Sequence, residues 1–590
     1  MTSAALRWGR PAGLFLTLAA VYAAGCPQAP PADAPPKTAP AEAAPVPSSP
    51  EADLQSRRTL VQEIITPIED RTEALARNLD QVARYLRLGD ETAVRAFFSE
   101  SLEALLPGVD LPTPTALGMG LQESTWSDDE GALSTSISGD RIVWFLESLA
   151  NESTLTEDIR IKVLTSNPAT DGGLEGTLKM RIHGSVGPHG RLWTRVHVHF
   201  RARPNDPRGD HWKLTAWRVL RIHRMQADAP LFSEVSARAG VGMTTGSNPA
   251  DSLGQRFEGA AVGDVNGDGL LDLVTVSPQR GHLYMQQGDG TFRDDAESAG
   301  ISHPVQTRTS GVPLLVDYDN DGDPDLFIAG TGKFVLFENQ TPPKRAPRFI
   351  DRTLESGVGV SAWTYSAAAG DVNGDGRLDL FATSYHNWPW VLPDSWARAT
   401  NGTPNVLLIQ QPDGTFRDDA AAWGVQGMRW SFAAQFGDLD GDADLDLFVA
   451  NDYGSGSTMY RNTGSAFEDV GEKTGAWDRS GGMGVSLGDP DNDGDIDIHV
   501  TNMSSTAAQR IFGRLRPEQL SDVPYFRNLA AGNALLVNNG EGRWSNAAGK
   551  LGPFPAGWAW GGGFIDLDND GWEDLHSPNG FMSGKTEHDT

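Results

Sequence analysis

The residues best suited to do chemistry are aspartates spaced two apart. Asp566-Leu-Asp-Asn-Asp-Gly-Trp-Glu-Asp574 carries acids at positions 1, 3, 5 and 9 and glycine at position 6. Like charges a few ångströms apart repel, so this crowding calls for a bound cation. The same nine-residue pattern, D-x-[DN]-x-D-G-x-x-D followed by Leu or Ile, occurs six times, once with Ala443 in place of the glycine. Asp264, Asn266, Asp268 and Asp272 are the side chains offered by the first loop. Asp317, Asp319, Asp321 and Asp325 form the second, and Asp371, Asn373, Asp375 and Asp379 the third. The fourth brings Asp438, Asp440, Asp442 and Asp446, and the fifth Asp489, Asp491, Asp493 and Asp497. Asp566, Asp568, Asp570 and Asp574 make the sixth.

Hard cations such as Ca²⁺ take about six to eight oxygens. Alternate positions 1, 3 and 5 turn oxygens inward, position 6 permits the sharp turn, position 7 offers a carbonyl and position 9 a last carboxylate. The ligand logic is that of an EF-hand, but the loop is shorter, lacks the glutamate at position 12 and is flanked by strands, which excludes that motif. Mg²⁺ fits less well because it demands octahedral geometry and keeps its waters. Zn²⁺ would ask for His or Cys. Six Ca²⁺ sites of structural role are therefore expected. The site at Ala443 should be the weakest, because alanine at positive φ costs about 1 kcal/mol.

The elements that must position these loops form a repeat. The loops start 53, 54, 67, 51 and 77 residues apart, and the two long intervals hold insertions at 388–403 and 504–532. Each unit has a Gly/Ala-rich lead-in strand, the acidic loop, an apolar lead-out strand, a third strand and a closing strand such as Thr291-Phe-Arg-Asp-Asp. Four short strands at a period near 50 indicate a β-propeller. Leu231-Phe-Ser-Glu-Val-Ser-Ala-Arg-Ala-Gly240 reads as a closing strand placed ahead of the first full unit. It would complete the last blade and remove exposed edges. Six blades follow, with a seventh lacking a metal loop left open.

The units resemble FG-GAP/VCBS repeats over roughly residues 231 to 580. Val449-Ala-Asn-Asp-Tyr-Gly, Met459-Tyr-Arg-Asn-Thr-Gly and Trp560-Gly-Gly-Gly-Phe-Ile-Asp-Leu-Asp-Asn-Asp-Gly resemble the cartilage-acidic-protein-like branch. The resemblance implies an exported calcium propeller of seven or a similar number of blades, acting in adhesion or binding.

The rest of the chain supports or delivers the repeats. At 590 residues it exceeds one ordinary core. Its net charge of -30 makes nucleic acid and bare anionic membrane poor partners. The loops hold 26 of the 78 acidic residues, so that charge is concentrated. A single cysteine, Cys26, excludes an intrachain disulfide. Arg7 and Arg10, the apolar run 14–24 and small residues before Cys26 resemble a bacterial lipoprotein signal, with Cys26 lipidated and membrane contact through that anchor alone; the alternative is a plain cleaved signal and a secreted chain. Residues 1–25 are then the signal and 26–52 a Pro/Ala-rich tether. Residues 53–228 read as a small α+β domain resembling NTF2-like domains, and 229–590 as the propeller. Apolar spacing predicts helices over 51–107, the second carrying Val94, Phe97, Phe98, Leu102 and Leu105. Alternation predicts strands over 158–224.

Other motifs have plainer readings. His197 and His199 share a strand face that reads as solvated. Arg208-Gly-Asp210 reads as turn chemistry. Gly484-Val-Ser486-Leu-Gly488 matches a nucleophile elbow, but a metal loop follows where the elbow needs a helix. The expectation is a surface protein, not an enzyme, binding a protein or glycan. The alternative is a polysaccharide hydrolase or lyase using the propeller as scaffold. The insertion Trp388-Pro-Trp-Val-Leu-Pro-Asp-Ser-Trp396 suits either.

Overall fold

In a computed structural model, the described residues are 65–107, 112–128, 133–134, 139–206, 208–241, 257–276, 280–301, 307–386, 391–394, 399–504, 509–511, 514, 527–528, 531–540, 542–548, 557 and 559–578. The signal, Cys26 and the tether lie outside them, as do Trp388, Trp390 and Trp396. No described helix is long and apolar enough to cross a membrane. The described residues fall into two compact units. One holds those up to Ser233 and those from 506–527; the other holds those of Glu234–Ser505 and those from Asn528 on.

The first unit opens with helix α1 (Thr66–Leu88), which has proline in its first turn and stops at Gly89 in the left-handed conformation. Leu75, Leu79, Val82 and Leu86 form its buried stripe. Helix α2 (Glu91–Arg95) is capped by Asp90, which accepts from the Ala93 amide at 2.9 Å. The expected second long helix ends there: Phe98–Pro107 is strand β1. Leu102, Ala104 and Leu106 are buried at every second position, and β1 pairs in parallel with β8 (Trp212–Ala227). Tertiary pairing overrides the three- and four-residue spacing of Val94, Phe98, Leu102 and Leu105. Between them come β2 (Thr115–Gly118), β3 (Leu121–Ser127), β4 (Leu133–Ser134) and helix α3 (Gly139–Asn151). Strands β5 (Leu155–Pro168), β6 (Leu174–Val186) and β7 (Gly190–Pro204) complete an antiparallel run ordered β2-β3-β8-β7-β6-β5. Ile161, Met180, Val196 and Ile222 face the core with Leu79 of α1 and Ile142 of α3. Burial of this apolar face fixes the register, and so fixes which residues occupy the other face.

The described residues of 506–527 belong to this first unit. Arg510 and Arg514 hold Glu69 between them, with Arg510 Nη2 at 2.6 Å. Burial would raise the Glu69 pKa, yet the two guanidiniums hold it below the usual carboxylate range.

The second unit is a series of antiparallel meanders. The repeats supply strands 257–263, 272–276, 281–286 and 292–294; 307–316, 325–333, 335–339 and 349–351; 367–370, 379–382, 406–410 and 416–418; 431–437, 446–451, 458–462 and 467–469; and 482–488, 497–502, 534–538 and 544–546. Among the described residues the sixth supplies two, Gly563–Ile565 and Asp574–His576. Repeats one and two join through a short parallel contact between their lead-in strands. Among the first five repeats, each consecutive pair buries one core between them. Leu326 and Ile328 pack toward the first repeat, while Phe327 and Ala329, their alternates, pack toward the third. Residues 231–235 form no strand, and only the helical turn Ser236–Ala239 follows. Among the described residues no strand pairs with this segment. Even so, Gly240, at φ +83°, sits where a Cβ would lie 2.6 Å from the Phe292 carbonyl oxygen.

Candidate metal sites

Each loop is closed by the same pair. The position-9 aspartate pairs with the residue just before position 1: Asp272 with Gly263, Asp325 with Val316, Asp379 with Gly370, Asp446 with Gly437, Asp497 with Gly488 and Asp574 with Ile565. Inside that frame the position-1 carboxylate is cradled identically six times. Its Oδ1 accepts from the position-5 amide and its Oδ2 from the position-6 amide; in the first loop Asp264 takes Asp268 at 3.1 Å and Gly269 at 2.8 Å. The same two bonds recur at Asp317, Asp371, Asp438, Asp489 and Asp566. The position-5 carboxylates Asp268, Asp321, Asp375, Asp442, Asp493 and Asp570 each accept from the position-7 amide.

Two left-handed residues make this cradle. Position 6 has positive φ throughout, including Ala443 at +72°. Position 4 does too, and there the chain uses only Gly267, Asn320, Gly374, Gly441, Asn492 and Asn569. Sequence reading left position 4 unassigned, although its restriction to Gly and Asn was the available signal.

Position 9 does more than offer a ligand. In the first five loops its Oδ1 accepts from the third strand, as Asp325 does from the Asn339 amide at 2.7 Å. Its Oδ2 accepts from position 2 in five loops, as from Tyr318 at 3.1 Å. The fifth loop has Pro490 at position 2, which carries no N–H, and Asp497 Oδ2 is left buried with no hydrogen-bond partner. The third strand then ties each loop to its neighbour. Asn339, Gln410, Asn462 and Asn538 donate their side-chain amides to the position-2 carbonyls of the preceding loop, at Val265, Tyr318, Val372 and Leu439.

The electrostatics fit a hard divalent cation. Carboxylate oxygens converge within 4.8 Å at Asp317/Asp319/Asp325, Asp438/Asp440/Asp446, Asp489/Asp491/Asp493 and Asp566/Asp568/Asp570. In the first and third loops Asn266 and Asn373 replace one carboxylate, and their oxygens accept from the position-5 amides at 3.0 Å. Position-3 oxygens Asp440 Oδ1 and Asp491 Oδ1 are buried without a donor. Burial, opposed in part by the backbone donors, pushes Asp325 and Asp497 up to about 8. Burial and the neighbouring Asp493 and Asp489 push Asp491 up to about 6. Buried acids with unpaired oxygens and raised pKa values are what a cation would relieve. The third loop differs again: Arg377 at position 7 pairs with Asp375 and supplies a positive charge of its own.

The other motifs separate from this chemistry. Ser486 lies mid-strand in 482–488, and its Oγ accepts from the Phe564 amide at 3.2 Å, so no elbow turn exists there. Asp206 caps the turn at Arg208–Asp210, accepting from the Arg208 and His211 amides. His197 and His199 share the face of β7 with Arg195, a cationic setting unsuited to a metal.

Two features escaped sequence reading. At the strand ends remote from the loops, Tyr365, Tyr385, Trp430, Phe432, Tyr453 and Trp560 of the third, fourth and sixth repeats form one aromatic cluster. Buried Asp452 joins it, accepting from the Tyr385 hydroxyl at 2.6 Å. Second, a cleft of about 540 Å³ is lined by Trp477, Asp478, Arg479, Ser480 and Asn533. The Arg479 guanidinium lies 3.8 Å from the Trp477 ring centroid. Asp478 accepts from Asn502 and Ser480, and burial raises its pKa.

Comparison with known families matches residues 264–328, 317–382 and 438–500 to the FG-GAP-like repeat. The chain thus carries FG-GAP-like repeats over those stretches. It is similar to cartilage acidic protein 1 of Homo sapiens, at 24% identity over 282 residues, 43% of this chain and 40% of that protein. It therefore spans less than half the length of that relative. Among solved structures it is similar to an Agrocybe aegerita lectin described as recognising non-reducing terminal N-acetylglucosamine. That likeness has 15% identity and a TM-score of 0.28, covers 53% of this chain and 68% of the lectin, and carries no argument.

Proposed function

We propose that this chain is an exported, lipid-anchored calcium-binding β-propeller that binds a protein or glycan at the cell surface. The observation that carries the reading is the sixfold recurrence of one cradle, with the same donors on the position-1 carboxylate each time. Ca²⁺ would be held by positions 1, 3 and 5 in the fifth and sixth loops, and by positions 1, 3 and 9 in the second and fourth, where those carboxylates converge. Its chemistry there is to neutralise the crowded acids and tie lead-in to lead-out strand. The protein's own contribution is the preset turn and the amide ties from repeat to repeat.

The ring is part of the proposal. Shared cores between successive repeats and an aromatic cluster drawing on three of them support strands converging on one axis. Gly240 abuts Phe292 as Gly300 abuts Phe349, where a Cβ would lie 3.2 Å from the carbonyl oxygen. The turn Ser236–Ala239 with Gly240 therefore sits where the closing turn of a repeat before the first would, and in a ring of six that repeat is the sixth. With an additional blade the ring would have seven.

Export and anchoring through Cys26 rest on the N-terminal sequence. Labelling with a radioactive fatty acid, lost on Cys26→Ser, tests the anchor. Binding of the full chain to a glycan array and to envelope proteins, with and without Ca²⁺, tests the function; no calcium-dependent ligand in either screen would overturn it. The second reading, a hydrolase or lyase, is favoured by the cleft that places the buried acid Asp478 beside Trp477. Polysaccharide turnover abolished by Asp478→Asn, in a variant that still melts like the parent, would establish it.

A further inference from the structure

The first unit crowds charge of the opposite sign. The outward face of its sheet carries two neighbouring rows of bases, set by strand register. In one row Arg160 pairs with Arg181, Arg181 with Arg195, and Arg195 with His223. In the next Lys162 pairs with Lys179, Lys179 with His197, and His197 with Arg221. Strands lie about 4.8 Å apart, so each row spans roughly 14 Å, and the rows sit about 6.6 Å apart along the strands. Like charges directly opposite one another destabilise a sheet.

Acids touch this face at its margins. Asp158 accepts from Arg160 at 2.8 Å, and Glu123 meets His223 at 2.5 Å. Asp80 acts on Lys162 from helix α1. In the middle the neighbours are cations: burial, then Arg195, Arg181 and Lys162, push Lys179 down to about 8. Burial, then Lys179, Arg195 and Arg221, push His197 down to about 4. A chain of net charge -30 has acid to spare, yet places little of it here.

We propose that this sheet face binds a linear anionic polysaccharide, carboxylated or sulfated, along the two rows of cations, with Trp193 against a sugar ring. Trp193 precedes Arg195 by two residues on β7, pairs with His183 and Met225, and so shares the face. A broad face of four long strands does not enter a DNA groove as a helix or two-stranded ribbon does. Single-strand readers present several aromatic platforms, and Trp193 is one ring. An acidic peptide recognised by strand addition needs a sheet edge, and this is a face. A polymer with charge at regular intervals and exposed ring faces matches spaced cations beside one aromatic. The inference is independent of calcium, because its cations lie in a different unit from the acidic loops.

The test uses the full chain in excess Ca²⁺ and again in EDTA. Binding to dextran sulfate and to polygalacturonate is measured against neutral dextran, duplex DNA and anionic phospholipid vesicles. A charged polysaccharide should bind with an affinity that falls as salt rises. Lys179→Thr, Arg195→Thr and Arg221→Thr combined should weaken it by about tenfold or more while leaving Tm unchanged or raised, since like-charge pairs are removed. Trp193→Ala should weaken it at unchanged salt slope. Full affinity in the triple variant, equal binding of neutral dextran, loss of binding in EDTA, or tighter binding of DNA or vesicles would each overturn the proposal.

Discussion

Two regions of this protein crowd like charges, and they handle the crowding differently. The acidic loops bring carboxylates together but feed each position-1 aspartate two backbone amides, fixed by left-handed residues at positions 4 and 6. The basic sheet face finds relief only at its margins, from Asp158, Glu123 and Asp80. Its side chains are aligned by hydrogen-bonded strands whose register is set by the apolar core on the other side. A loop can be built around an ion by nine residues; a sheet face needs four strands to agree. The loops are thus sites with their own scaffold, and the face borrows its scaffold from the fold.

The two regions should differ most when metal is removed. Chelation should lower Tm of the repeat unit sharply and Ca²⁺ should restore it, each filled site being worth about 3 kcal/mol at a hundredfold excess over Kd. The first unit should melt unchanged in EDTA, and differential scanning calorimetry with and without EDTA checks both.

Next in size is the contrast within one loop. Asp325→Ala removes the partner of two backbone amides, Asn339 and Tyr318, and should cost about 2–5 kcal/mol with or without Ca²⁺. Asp319→Ala should cost stability only when Ca²⁺ is present, and in EDTA should be neutral or stabilising because it relieves repulsion. Denaturant unfolding in the two buffers separates strand staple from ligand.

Smaller effects follow. Ala443→Gly should stabilise by about 1 kcal/mol, because the residue sits at φ +72°. It should also tighten the fourth site in calcium titration. On the basic face, Arg195→Thr should raise Tm of the first unit by the equivalent of about 0.5 kcal/mol, as one cation leaves a like-charge row.

The pH dependence carries a sign. The folded pKa of His197, about 4, lies below the ordinary 6.5, so the fold favours neutral imidazole. That contribution is fully present above pH 6.5 and is lost as pH falls toward 4. His197→Asn should flatten the fall in Tm of the first unit across that window, and thermal melts of both proteins read it.

These two regions also differ in how far the sequence discloses them. Each loop is contiguous, repeated and flanked by strands, so Asp264 to Asp272 and its five copies could be read with their boundaries. The repeat of four strands was legible for the same reason. The basic face was not: Arg160, Lys179, Arg195 and Arg221 are far apart in sequence and meet only once register is known. His197 looked like part of a solvated strand for want of its neighbours across the sheet. Phe98–Pro107 deceived by offering helical spacing where a parallel partner made it a strand. Arg510 and Arg514 sit inside an insertion of the fifth repeat, and nothing local indicates that their partner is Glu69. Pro490 shows the limit within the legible part, since its effect falls on Asp497, seven residues on, through a hydrogen bond that is missing.

Counting the bound ions decides whether the six loops hold calcium. The full chain, dialysed against Ca²⁺ and freed of excess, should retain close to one ion per loop by elemental analysis. Loss should come first from the third loop, where Arg377 occupies Asp375, and from the fourth, where Ala443 strains the turn. Retention of no calcium above a matched control protein would mean that the loops are turns without metal.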